Sequence, residues 1–175
     1  NLNFRGGEYR DCYVYQRIGY QEPDGIINVE GGKYYNTTFA LRSATDSGYV
    51  KNGEFYGCKF VAHGYECYSS HYQRLYIEDG DYFGCVFAAD NTAINPHTGN
   101  PSSFVYLRGG NFYGCSTYIK KVQFNKKGEA NVEFQNGVVF KNAVRSGDQE
   151  YATLDAALSA AERPRSIELL YSAAA

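Results

Sequence analysis

The chain has 175 residues and a formal net charge of −2, so it carries no field that would draw nucleic acid or an anionic membrane, and neither partner is expected. No run of 18 apolar residues is present, and the opening residues Asn1 to Gly6 lack the positive start and apolar middle of a signal peptide. The length suits one domain, and 43% hydrophobic residues suffice to fill its core.

That core is aromatic, with 18 tyrosines and 11 phenylalanines but no tryptophan or methionine. An asparagine at the first position, with no initiator, reads as a fragment or a processed product.

In chain order, the first element is a strand ending at Phe4, a corner at Gly7, and a second strand carrying Tyr9, Cys12 and Val14. The same phrase returns around Gly32, Gly53, Gly80, Gly110 and, more weakly, Gly137, at steps of 25, 21, 27, 30 and 27 residues. A period in this range marks a stacked repeat architecture.

Three residues before each glycine stand Phe4, Val29, Val50, Ile77, Leu107 and Phe134. Two residues after it stand Tyr9, Tyr34, Phe55, Tyr82, Phe112 and Val139, and seven after it Val14, Phe39, Phe60, Phe87, Thr117 and Val144. Alternation of these with polar residues predicts short strands with one face inward. The residue before the glycine is Gly6, Gly31, Asn52, Asp79, Gly109 or Asn136, types that accept positive φ, so a sharp corner is expected there.

Asn-Gly and Asp-Gly also open hairpins, which makes an antiparallel meander the rival. The charges favour parallel stacking instead. Two residues before the glycine, Arg5, Glu30, Lys51, Glu78, Arg108 and Gln135 alternate in sign until the last. On the other side of the corner Glu8, Lys33 and Glu54 alternate before Asp81 and Asn111. Stacked about 4.8 Å apart, such columns become solvated ladders that fix register more than they add stability.

Residues 50–60 (VKNGEFYGCKF) and 105–115 (VYLRGGNFYGC) resemble coils of a right-handed parallel β-helix, the pectate-lyase-like solenoid also found in bacteriophage tailspikes and fibres. The resemblance covers residues 1–146 and implies an all-β solenoid of about six coils. It also implies a structural or host-recognition role in a virion appendage, assembled in the host cytoplasm, with other virion proteins or further copies of the chain, as in a homotrimer, for partners. The fold carries many activities. A carbohydrate-active depolymerase and a bacterial surface adhesin are therefore the alternatives.

Cys12, Cys58, Cys85 and Cys115 share one inward column, where neighbouring side chains point the same way, so free thiols packed as small hydrophobes are expected rather than disulfides. Cys67 stands outside the column. No ligand spacing such as C-x-x-C occurs, and neither metal nor cofactor is expected.

Segments 17–26, 42–47, 63–74, 90–104 and 120–131 join the copies, and loops stacked along a solenoid form its binding surface. They hold His63, His71 and His97, with Tyr20, Tyr65, Tyr68, Tyr72 and Asp90. Tyrosines beside polar groups suit a glycan, whose apolar ring face stacks on the aromatic while its hydroxyls are hydrogen-bonded.

Hydrolysis would need two carboxylates about 5 to 9.5 Å apart. Glu78 with Asp81 and Glu66 with Asp90 are the pairs available. For a lyase, Lys51, Glu78 and Arg108 fall in adjacent copies, although the charge ladder accounts for them as well.

After Val144 the pattern changes. Residues 151–161 are alanine-rich, and Leu154, Ala157, Leu158 and Ala161 share a helical face. Pro164 and a strand over 166–171 follow, so residues 147–175 form either a cap on the stack or the start of a further segment.

Overall fold

The computed structural model describes residues 2–16, 26–41, 47–65, 72–93, 102–120, 130–160 and 166–171. The first copy of the repeat folds as β1 (Leu2–Phe4), β2 (Glu8–Arg10) and β3 (Tyr13–Gln16). The second gives β4 (Ile26–Val29), β5 (Lys33–Tyr35) and β6 (Thr38–Leu41), and the third β7 (Ser47–Val50), β8 (Glu54–Tyr56) and β9 (Lys59–Tyr65).

The fourth copy gives β10 (Tyr72–Ile77), β11 (Asp81–Phe83) and β12 (Val86–Ala93), and the fifth β13 (Ser102–Leu107), β14 (Asn111–Tyr113) and β15 (Ser116–Lys120). The sixth supplies β16 (Ala130–Phe134) and β17 (Phe140–Lys141).

Within these copies each strand pairs in parallel with its counterpart in the next copy, forming three sheets in the orders β1-β4-β7-β10-β13-β16, β2-β5-β8-β11-β14-β17 and β3-β6-β9-β12-β15. The register keeps the apolar columns together, as in Phe4↔Val29, Val29↔Val50, Val50↔Ile77 and Ile77↔Leu107. The chain is thus an all-β parallel β-solenoid, and the meander is excluded.

About four turns are complete rather than six, because only the inner copies have neighbours on both sides. Val29, Val50, Ile77 and Leu107, and Tyr34, Phe55, Tyr82 and Phe112, are fully buried, whereas Phe4 and Tyr9 are partly buried and Phe134 is 47% exposed. The sixth copy also slips by one residue: Phe140, not Val139, sits opposite Phe112, and Val139 faces solvent. Val144 leaves the third sheet altogether.

Inside, the columns become continuous aromatic stacks. Tyr34, Phe55, Tyr82 and Phe112 lie face to face at 5.0, 4.8 and 4.7 Å, and Phe39, Phe60 and Phe87 at 5.1 and 5.2 Å. The two stacks meet edge to face, for example Phe55 with Phe60 at 5.2 Å and 76°, so each ring presents its positive edge to a neighbour's negative face.

Where the first stack carries tyrosine, the hydroxyl needs a partner. Tyr34 donates to the Gly31 carbonyl at 2.8 Å and Tyr82 to the Asp79 carbonyl at 2.7 Å. Burial raises the pKa of both phenols well above the ordinary value.

The corner differs in detail from expectation. Positive φ falls on the aligned glycine itself, +122° at Gly80 for instance, and on the residue before it only at Asn136 (+52°), while Asn52 and Asp79 instead accept hydrogen bonds from the Gly53 and Gly80 amides through their side chains. A second corner, unread in the sequence, turns the chain from the second sheet into the third. There Asp11, Asn36, Gly57, Gly84 and Gly114 all have φ between +47° and +61°, in the left-handed region that these residue types tolerate.

Past the solenoid, β18 (Val144–Ser146) pairs antiparallel with β19 (Gln149–Tyr151) and β20 (Glu168–Leu169), and α1 (Leu154–Ala160) lies between the last two in sequence. The Thr153 side chain caps the helix by accepting from the Ala156 amide at 3.1 Å. Among the described residues of the expected apolar face Ala157 is buried, while Leu154 and Leu158 are exposed. Tyr171 packs against Phe83 and Tyr113, at centroid distances of 4.5 and 5.9 Å, on the outer face of the second sheet.

Candidate functional site

Outward-facing side chains divide the solenoid into two kinds of surface. On the first two sheets they repeat from coil to coil. Tyr49, Tyr76 and Tyr106 stack at 5.1 Å on the first sheet. Tyr35, Tyr56, Phe83 and Tyr113 stack at 5.0, 4.8 and 5.6 Å on the second.

Arg108 lies 4.0 Å from the Tyr76 ring, and Arg10 lies 4.1 Å from Tyr35, covering the free face at that end of the stack. Tyr56 donates to Glu54 at 2.9 Å, and burial with that carboxylate pushes its phenol up to about 12. Inside these ladders ring faces are occupied by neighbouring rings or cations, while Tyr49 and Tyr106, at the ends of the first stack, have a stacked ring on one side and Asn28 or Glu133 beside them in the row on the other.

The charged columns flank them. Glu30 lies 3.5 Å from both Arg5 and Lys51, Arg108 is 4.0 Å from Glu78 and its Nε donates to Gln135, and Lys33 is 3.1 Å from Glu54. Asn111 extends the second column, donating to Asp81 at 3.0 Å and accepting from Lys141 at 2.9 Å. Among the described residues the first column is broken between Lys51 and Glu78, where no ion pair forms. Glu78 and Asp81 are therefore ladder members, each engaged with the next coil rather than with each other. Lys51 is likewise turned to Glu30, away from the lyase trio.

The third sheet does not repeat. Its outer rows read Tyr13, Thr38, Lys59, Val86, Ser116; then Tyr15, Ala40, Val61, Ala88, Tyr118; then His63, Asp90, Lys120. Small residues make a floor, with Ala40 and Ala88 buried although they point outward. Two hollows result.

One, of about 260 Å³, is lined by Tyr13, Thr38, Ala40, Lys59, Val61, His63 and Asp90, and the other, of about 460 Å³, by Lys59, Val86, Asp90, Ser116, Thr117 and Tyr118. They meet at Lys59 and Asp90. Tyr13 and Tyr118 stand at opposite ends, 63% and 46% exposed, and neither has an aromatic residue beside it in its row.

The expected site residues His63 and Asp90 come together here. They are register partners on β9 and β12, with Nδ1 of His63 3.8 Å from Oδ2 of Asp90, and both are largely buried. The pairing shifts register just beyond Asp90, so that Ala93 sits opposite Tyr65, the kind of irregularity that re-aims side chains at sheet edges. Tyr65 ends β9 and Tyr72 begins β10. Tyr20, Glu66, Cys67, Tyr68, His71 and His97 lie outside the described residues.

Tyr13, Thr38, Lys59, Ser116 and Tyr118 were not singled out in the sequence. Strand alternation could have found them: Lys59 lies between inward Cys58 and Phe60, and Ser116 follows inward Cys115.

Cys12, Cys58, Cys85 and Cys115 are free thiols. Cys58, Cys85 and Cys115 donate to carbonyls of the preceding coil, Cys85 to Phe55 at 3.3 Å, and burial pushes the Cys85 thiol well above its ordinary range. Cys85 is thus an inert core group, whereas its hydrogen bond to Cys58 lowers the pKa of the Cys58 thiol, which is nonetheless fully buried. Among the described residues no three His, Cys, Asp or Glu side chains converge to hold a metal ion, and no helix is long and apolar enough to cross a membrane.

The fold places the chain in the class of parallel β-solenoids. Comparison with known protein families, with curated proteins and with solved structures found no match.

Proposed function

We propose that this chain is a non-enzymatic recognition module of a virion appendage, most like a phage fibre or spike, and that its third-sheet groove binds surface glycans. One observation carries the binding site: the repeating ladders stop at the third sheet, where two tyrosines with open faces bracket an irregular polar floor. An exposed ring offers its face to the apolar side of a pyranose, and Thr38, His63, Asp90 and Ser116 can hydrogen-bond its hydroxyls. Rings inside the stacked ladders, such as Tyr76 and Tyr56, have neighbouring rings on both faces.

The appendage role draws on the resemblance of the repeat to tailspike coils. It also draws on apolar residues left open near the end of the chain, where Leu154, Leu158 and Leu169 are each about half exposed. Such residues suit contacts with further copies or with other virion proteins. Among the described lining residues Asp90 is the one carboxylate, whereas cleavage by paired carboxylates needs a second.

A glycan array with a parallel assay for cleavage products tests the proposal. Binding without cleavage supports it, cleavage replaces it with a depolymerase, and no binding on a broad array refutes the glycan role.

A further inference from the structure

Among the described residues most of the cations are engaged. Arg5, Lys33, Lys51, Arg108 and Arg145 lie in ion pairs, and Lys141 donates to Asn111. Arg10 pairs with Glu8 and covers the Tyr35 ring, and Arg74 also has partners.

Among the described residues, Lys59 and Lys120 are the basic side chains with no ion pair, hydrogen bond or ring contact, and both stand on the outer face of the third sheet. On a chain of net charge −2, whose other described bases have partners, the position of Lys59 on the lining of both hollows is the informative fact.

Lys59 stands where the two hollows meet, lining both. Its row neighbours, Thr38 and Val86, carry no charge. The one acid on the described lining, Asp90, is turned to His63 at 3.8 Å, and Lys120 is its register neighbour on the other side. On the described lining Lys59 is the one lysine and Asp90 the one carboxylate, and protonation of His63 would add positive charge beside that carboxylate.

A flexible ammonium with three donors and no acceptor is a point charge suited to a single anionic group on a ligand. From Tyr13 to Tyr118 the groove crosses five strands, on the order of 19 Å at the usual spacing. That length suits an oligosaccharide rather than a single sugar.

We infer that the groove selects acidic oligosaccharides, Lys59 receiving a carboxylate or sulfate substituent while the tyrosines take the ring faces. This rests on the glycan-binding proposal and adds to it the class of ligand. A charge-assisted contact of this kind corresponds to about a tenfold gain in affinity over the neutral counterpart.

The test uses the full chain and oligosaccharides of one backbone in three forms: uronate-containing, carboxyl-reduced and sulfated, titrated calorimetrically at low salt. The acidic forms are expected to bind about tenfold tighter than the reduced form, with the gap narrowing as salt screens it. Whichever acidic form binds tighter identifies the anion.

Lys59→Gln, at an exposed position whose fold is checked by circular dichroism, is expected to remove the gap between the acidic and reduced forms. Equal affinity for reduced and acidic forms overturns the inference while the glycan-binding proposal stands. A gap that survives Lys59→Gln overturns the role of Lys59, and failure of all three forms to bind overturns the inference and the proposal together.

Discussion

Phe55 and Tyr56 are adjacent on β8 and point to opposite faces, which makes them a matched pair for weighing core against ladder. Phe55 is fully buried between Tyr34 at 5.0 Å and Tyr82 at 4.8 Å, with Phe60 edge-on at 5.2 Å. Phe55→Ala removes a ring that neighbours on four sides cannot follow inward, since each is held in its own stack. A phenylalanine-to-alanine cavity costs about 3–5 kcal/mol, and lost ring pairs at about 0.5–1.5 kcal/mol each put this site at the upper end.

Tyr56 stacks on Tyr35 at 5.0 Å and Phe83 at 4.8 Å but remains half-buried. Two cross-strand pairs at about 0.2–1 kcal/mol each make Tyr56→Ala a loss of roughly 0.4–2 kcal/mol. Urea unfolding followed by circular dichroism reads both. Because each coil contacts only its neighbours, hydrogen exchange in Phe55→Ala should quicken first in the coils of Tyr34 and Tyr82. Equal costs for the two variants, or a Phe55→Ala loss below about 1 kcal/mol, would refute the division into a packed core and a solvated ladder.

Gly80→Ala should destabilise by more than about 1 kcal/mol, because φ is +122° and an added Cβ would meet the Gly53 carbonyl oxygen at 2.9 Å. Gly6→Ala, with nothing within 4 Å and no positive φ, should be nearly neutral in the same melts, and equal shifts would contradict the corner geometry. Glu30→Gln should cost under about 1 kcal/mol although it severs two contacts at 3.5 Å, since both partners are exposed; a loss of several kcal/mol in urea titration would make the ladder a main source of stability.

Stability should also fall at high pH. The Cys85 thiol is raised above its ordinary 9.0, so its contribution is full below that value and declines as pH rises, when the unfolded chain ionises and the folded one does not. Tyr34 and Tyr82 add the same trend above 10.0. A urea midpoint that stays flat from pH 8 to about 11 would count against the burial of these groups.

Much of the solenoid was legible because inward positions obey a simple alternation: Val29, Tyr34, Cys58 and Phe60 occupy the columns that spacing assigns them. The sixth copy was misjudged for a local reason. The turn after Gly137 holds one residue more, which moves Phe140 into the place expected for Val139. At the corners, residue type suggests positive φ before the glycine, which holds at Asn136, while at the other corners the backbone puts it on the glycine and uses Asn52 and Asp79 as side-chain acceptors.

The candidate site was half visible. His63 and Asp90 read as loop residues in the sequence, yet they belong to strand positions, and Lys59, Tyr13 and Tyr118, which line the same hollows, lie within the repeat rather than in the segments between copies. An outward residue shows its importance only when compared along its row, and the third sheet is conspicuous because its rows do not repeat. That comparison needs the register, which spacing alone leaves open where connecting segments differ in length.

The most direct test of the account sets one face against another. Array-selected glycan ligands should be titrated against Tyr13→Ala/Tyr118→Ala on the third sheet and Tyr49→Ala/Tyr106→Ala on the first, each checked for folding. The account predicts that the first double variant loses binding by tenfold or more, at about 1–3 kcal/mol for the two stacking faces together, while the second binds as the parent does. Loss of binding in the first-sheet variant with the third-sheet variant unchanged would contradict it.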